Sequence, residues 1–107
     1  MSLTALYQQI DTLSADIASL ITQNEFEKIS EKLAQRLSLM KQLPPLVVSK
    51  NNEQTTEQLK QFLMKCQLED QRQVEQLLVA RSQVLADSKK QSKIKQAVTA
   101  YQQFSKS

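Results

Sequence analysis

Large apolar residues recur along this chain in steps of three and four, the spacing that gathers them on one helix face. Leu3, Leu6, Ile10, Leu13, Ile17 and Leu20 make the first stripe, with Gln8, Gln9, Asp11 and Asp16 off it. At Asn24 the phase changes. Continuing the first stripe would place apolar residues at 24 and 27, and those positions hold Asn and Glu. A second stripe of Phe26, Ile29, Leu33, Leu37 and Met40 begins there instead. Asn24 followed by Glu27 also fits a capping box, in which the two side chains satisfy amides at a helix start. The pattern predicts helices over about 3–23 and 25–42.

Pro44 and Pro45 follow, in the stretch from Leu43 to Lys50. Proline disfavours helical dihedrals in its predecessor, so this stretch is expected to end the second helix and serve as a connector. Its Leu46, Val47 and Val48 place it across the end of the bundle. Asn51 or Asn52 is expected to cap the next helix, with Gln54 as a capping-box partner for Asn51. That third helix is expected from about Glu53 to Lys89, roughly 50 Å at ~1.5 Å per residue. Its stripe runs through Leu59, Phe62/Leu63, Cys66, Val74, Leu77 and Val84, with Asp70 and Arg81 at the intervening seam positions. Polar seam residues act as register devices or as bundle-edge groups. Two in one long helix point to a face that meets water or a partner.

Residues 86–93 carry no large apolar side chain and nothing that compels a break. Two forms stay open: one very long helix, or a hinge and a separate C-terminal helix carrying Ile94, Val98, Tyr101 and Phe104. That stripe either belongs to the core or docks on another protein. Short connections favour antiparallel neighbours. The expected fold class is therefore all-α, an antiparallel helical bundle of three to four helices. It has one long third helix and a C-terminal amphipathic helix. The chain reads as a single helical domain over 1–107, with a core bundle at 3–86 and a mobile C-terminal helix as an option at 90–105.

Composition narrows the function. The chain has no glycine, and its two prolines are adjacent. Dinucleotide fingerprints, phosphate loops and nucleophile elbows all require glycine and are excluded. Histidine is absent too, which removes the commonest general base and metal ligand. The lone Cys66 sits on an apolar face and reads as a small buried hydrophobe; one cysteine forms no intramolecular disulfide, so the cytoplasm is the default compartment. The carboxylate pairs Glu25/Glu27 and Glu69/Asp70 read as solvated or capping groups. No enzyme is expected, and no catalytic residue, metal or cofactor. No apolar run approaches the roughly 20 residues of a membrane span, and the first residues lack the features of a signal peptide.

The net charge of +3 is unevenly placed. Lys89, Lys90, Lys93, Lys95 and Lys106 stand against Asp87 in the last 21 residues, and the rest of the chain is close to neutral. A lysine cluster is ordinarily a solvated helix face. It contains no arginine, which argues against nucleic acid and leaves an acidic protein surface as its functional partner. The many glutamines are good helix formers that keep surfaces soluble without strong fields.

The layout of a helix pair, a Pro-bearing connector, a long third helix and a C-terminal amphipathic helix resembles the FliT family of flagellar type III export chaperones. The local match lies in Glu69-Asp-Gln-Arg-Gln-Val-Glu-Gln-Leu-Leu-Val-Ala-Arg81, followed by Ser-Gln-Val-Leu85, and in Lys93-Ile-Lys-Gln-Ala-Val-Thr-Ala-Tyr101. One departure is Phe26, where family members often carry Trp. The resemblance implies a four-helix, cytoplasmic chaperone that binds the C-terminal segment of the filament-cap protein. It also implies delivery to the flagellar export gate and its ATPase complex. In some relatives a flagellar transcription regulator is a further partner. By position, Ile94, Val98, Tyr101 and Phe104 would form the regulatory C-terminal helix.

Helix physics gives that mechanism its own footing. A groove on the third helix lined by Leu63, Asp70, Val74, Leu77, Leu78, Arg81 and Val84 offers anchors for an amphipathic segment. A tethered tail helix would compete for it at an effective concentration of order mM. Two other readings remain: a structural coiled-coil adaptor that self-associates as a homodimer, and a nucleic-acid module that uses the lysine cluster. Membrane insertion is not expected.

Overall fold

The structure is a computed structural model that describes residues 2–83 and 87–105, without the side chains of 104 and 105. The first helix, α1 (Leu3–Thr22), starts where the Ser2 hydroxyl oxygen accepts the Ala5 amide at 3.2 Å. It ends in a Schellman motif. The Glu25 N–H donates to the Leu20 carbonyl at 2.9 Å and the Asn24 N–H to that of Ile21 at 3.1 Å. Asn24 has φ 61°. The expected capping box at Asn24 and Glu27 is therefore overturned. Asn24 closes α1 rather than opening the next helix, because a left-handed residue is needed there. Asparagine tolerates that conformation best when glycine is absent.

A 3-10 turn (Phe26–Lys28) leads into α2 (Ile29–Met40), and α1 and α2 pack together as a helical hairpin. The proline stretch corrects the expected connector: Leu43–Lys50 is itself a helix, α3, with both prolines in its first turn. The amides of a first turn have no intrahelical acceptor, so proline loses no bond there, and its fixed φ suits the helix. Leu43 and Val47 are buried and seat α3 on the bundle end. Asn51, at φ 47°, ends α3, and the Asn52 side-chain oxygen accepts the Gln54 amide at 2.8 Å to cap α4 (Glu53–Gln83).

The expected third helix over 53–89 thus stops at Gln83 among the described residues. A separate helix, α5 (Ser88–Ser105), begins where the Asp87 carboxylate accepts the Lys90 amide at 3.1 Å. It packs on α4, α2 and the 3-10 turn. Ile94, Ala97, Ala100 and Tyr101 are buried and Val98 is partly buried, so this stripe is core.

The molecule is a rod of 53 × 20 × 20 Å with two apolar centres. One gathers Ile17, Ile21, Phe26, Ile29, Leu33 and Leu77 under α5. The other joins Leu6, Ile10, Leu43 and Cys66, with the Tyr7 and Phe62 rings beside them, tilted by 52° with centroids 4.5 Å apart. Among the described residues no helix is long and apolar enough to cross a membrane.

Candidate functional site

Between the two apolar centres α2, α4 and α5 diverge around a cleft of about 650 Å³. Leu37 and Met40 come from α2, Leu63 and Val74 from α4, and Tyr101 from α5. The polar part of its lining is Arg36 and Asp70. Arg36 occupies the phase of Ile29, Leu33 and Met40, so the fold carries its guanidinium inward, where only 3% of the residue stays exposed. Its Nη2 donates to Asp70 Oδ2 at 2.8 Å and its Nη1 to Ser14 Oγ at 3.2 Å. A buried guanidinium stays charged and has to be paired in this way. Among the described residues the second carboxylate oxygen, Asp70 Oδ1, is buried without a hydrogen-bond partner.

Close by, the Tyr101 hydroxyl donates to Gln73 Oε1, joining α5 to α4 inside the core. Burial, with the negative charge of Asp70 added, raises the Tyr101 hydroxyl well above the ordinary phenol value. Burial also pushes the Cys66 thiol up to about 11, although Arg36 pulls it the other way. A thiol held protonated is neither a nucleophile nor a metal ligand at neutral pH.

Of the expected groove residues, Leu63, Asp70 and Val74 line this cleft. Leu77 is fully buried in the core instead. Leu78 and Arg81 are exposed on α4 away from the cleft, and Val84 lies outside the described residues. Of the expected regulatory helix, Tyr101 forms part of the cleft wall, whereas Ile94 and Val98 pack into the core. Phe104 falls within α5, but its side chain lies outside the described residues.

Arg36, Ser14 and Gln73 escaped the sequence reading. Their signal was present: each sits on the apolar phase of its own helix, at 10/14/17 on α1, 33/36/40 on α2 and 66/73/77 on α4. Glu25, half-buried, pairs with Lys28 at 3.5 Å, and the exposed Glu27 with Lys93 at 3.8 Å. Among the described residues no group of three or more His, Cys, Asp or Glu is placed to hold a metal ion.

Comparison with known proteins finds no matching family model, curated protein or solved structure. Function has to be argued from the site. An apolar trough between helices suits the capture of an amphipathic helix through its apolar anchors.

Proposed function

We propose that this protein is a non-enzymatic cytoplasmic chaperone that holds an amphipathic helical segment of a client in the α2–α4–α5 cleft. Following the resemblance in its α4 and α5 sequences, the client is the C-terminal segment of a flagellar filament-cap protein. Handover to the export gate and its ATPase complex, and contact with a transcription regulator, belong to the same reading. One observation carries it: Leu37 and Met40 of α2 and Leu63 and Val74 of α4 bring apolar side chains to one cleft of about 650 Å³. A client segment with apolar residues at i and i+3 or i+4 would bury them against these walls.

The core role of α5 adjusts the mechanism. Lifting α5 would uncover Ile94, Tyr101 and their partners on α2 and α4, a loss of several kcal/mol at about 25 cal/mol per Å². That is a large share of the roughly 5–15 kcal/mol that holds a small domain together. The client therefore binds with α5 in place, and Tyr101 acts as a fixed wall rather than a lid.

The test is titration of the full chain with a purified filament-cap C-terminal peptide, followed by calorimetry. Binding with a dissociation constant on the order of micromolar is expected. Leu63→Glu, at an exposed position, should weaken it at least about tenfold with the helical signal unchanged. No heat of binding at peptide concentrations on the order of 100 µM would defeat the reading.

A further inference from the structure

The outward face of α4 carries a second surface, which meets the cleft only at its rim, where Glu75 is among the lining residues. Leu68, Arg72, Glu75 and Val79 are all exposed, Leu68 and Val79 at 63% and 56%. At about 100° per residue they fall within roughly 60° of one another, on the side opposite Cys66, Gln73 and Leu77. Their steps of four, three and four are those of a coiled-coil seam. Met64 and Leu78, also exposed, widen the stripe along one side.

The order of these four residues identifies the partner. Read from N to C the seam is apolar, positive, negative, apolar; read from C to N it is apolar, negative, positive, apolar. It is therefore complementary to itself when two copies run antiparallel. A twofold axis between Gln73 and Val74 sets Leu68 of each copy opposite Val79 of the other, and Arg72 opposite Glu75. The charge pair and the apolar contact each form twice, as an isologous interface requires. Slipping by one heptad breaks the charge match and leaves the apolar ends unpaired, so the central charges fix the register. Among the described residues neither Arg72 nor Glu75 has an ion-pair partner within its own chain.

We infer that the chain forms an antiparallel homodimer through α4, with Leu68, Arg72, Glu75 and Val79 as its seam. A single helix pair is a small interface, so the dissociation constant should be on the order of tens of micromolar. The partner is a second copy because the pattern matches its own reverse; a client would need only apolar anchors.

Sedimentation equilibrium of the full chain tests this. The mass should rise from 12.2 kDa toward twice that value as concentration increases through the micromolar range. Arg72→Glu alone and Glu75→Arg alone should each weaken association at least about tenfold, because each sets like charges face to face at both ends of the axis. An equimolar mixture of these two variants should associate again as a heterodimer, with every facing pair opposite in sign. The Arg72→Glu/Glu75→Arg double variant should dimerise like the parent. Circular dichroism confirms that each variant is folded. A constant 12.2 kDa mass up to several hundred micromolar overturns the inference. So does association that ignores the single reversals, or a mixture that fails to recover. Peptide capture in the cleft is read separately by calorimetry, so either reading can fail alone.

Discussion

Arg36 and Asp70 join the middle of α2 to the middle of α4 through a 2.8 Å hydrogen-bonded ion pair, with only 4% of the Arg36 side chain reaching water. Desolvating the guanidinium is expensive, so the pair is worth more as a constraint than as a source of net stability. Removing one partner is the severe change. Asp70→Ala should lower unfolding stability by about 3 kcal/mol, since it strands a buried cation with only the Ser14 hydroxyl left. Combining Arg36→Met with Asp70→Ala should be milder than Asp70→Ala alone. Urea unfolding with unchanged slope measures both. A loss under about 1 kcal/mol for Asp70→Ala would show that water reaches the guanidinium.

Tyr101 and Gln73 form the second buried tie, and here the hydroxyl can be removed without disturbing the ring. Tyr101→Phe leaves the Gln73 side-chain oxygen buried and unsatisfied, which should cost about 1–2 kcal/mol. Tyr101→Ala removes the ring as well and should cost roughly 3–5 kcal/mol. Amide exchange across α5 separates the cases. In the Ala variant protection at Ile94–Tyr101 should collapse before the rest of the molecule, because α5 detaches as a unit. Uniform loss of protection would mean that α5 unfolds only with the whole bundle.

These two ties also mark where the sequence stopped being readable. The apolar stripes gave α1, α2 and an apolar face on α5, because a 3.6-residue period reports such a face directly, but they left open whether α5 was separate from α4 and whether its stripe was core. Ser14, Arg36 and Gln73 lie on those same faces, but one sequence does not say which polar residues will meet inside. The proline pair misled for a related reason. The local rule against helix before proline yields to the first turn of α3, where Leu43 and Val47 bury against α1 and α4. In the cleft, Leu63, Asp70 and Val74 followed from the α4 period alone. Leu37 and Met40 required knowing how far α2 leans from α4.

Alkaline pH should weaken the fold in two steps. Burial raises the Cys66 thiol from an ordinary 9.0 to about 11, and it raises the Tyr101 hydroxyl above 10.0. In both, the folded chain holds its proton more tightly than the unfolded chain does. Stability is therefore complete below the unfolded values and falls as pH rises through them, by roughly 1.4 kcal/mol per unit for each group. The loss should begin near pH 9 through Cys66 and steepen above 10 through Tyr101. Lys65, raised chiefly by its hydrogen bond to Asp11, changes stability in the same direction, but the pair is exposed and its effect is screened. Cys66→Ala should remove the step that starts at 9, apart from its own cavity cost, and Tyr101→Phe its share of the one above 10, to which Tyr7, also raised by burial, contributes as well. Chemical unfolding between pH 7 and 11 is the measurement. Equal stability at pH 8 and 10.5 would contradict the burial of both groups.

Asn24 and Asn51 take the left-handed positions that glycine would hold in another chain, at φ 61° and 47°. Each closes a helix, α1 before the 3-10 turn and α3 before α4, so each directs how the next helix leaves. The side chain of Asn24 is exposed, and the energetics of exchange are local to the backbone. Asn24→Gly should therefore be neutral to within a few tenths of a kcal/mol, easier turning being offset by a more flexible unfolded chain. Asn24→Ala should cost about 1 kcal/mol, and Asn24→Val more, because a β-branched side chain clashes at positive φ. The same order, Gly near Asn and then Ala and Val, should hold at Asn51. Thermal unfolding of the six variants ranks them. If Ala matched Gly at both positions, the left-handed turns would not be what fixes the exits of α1 and α3.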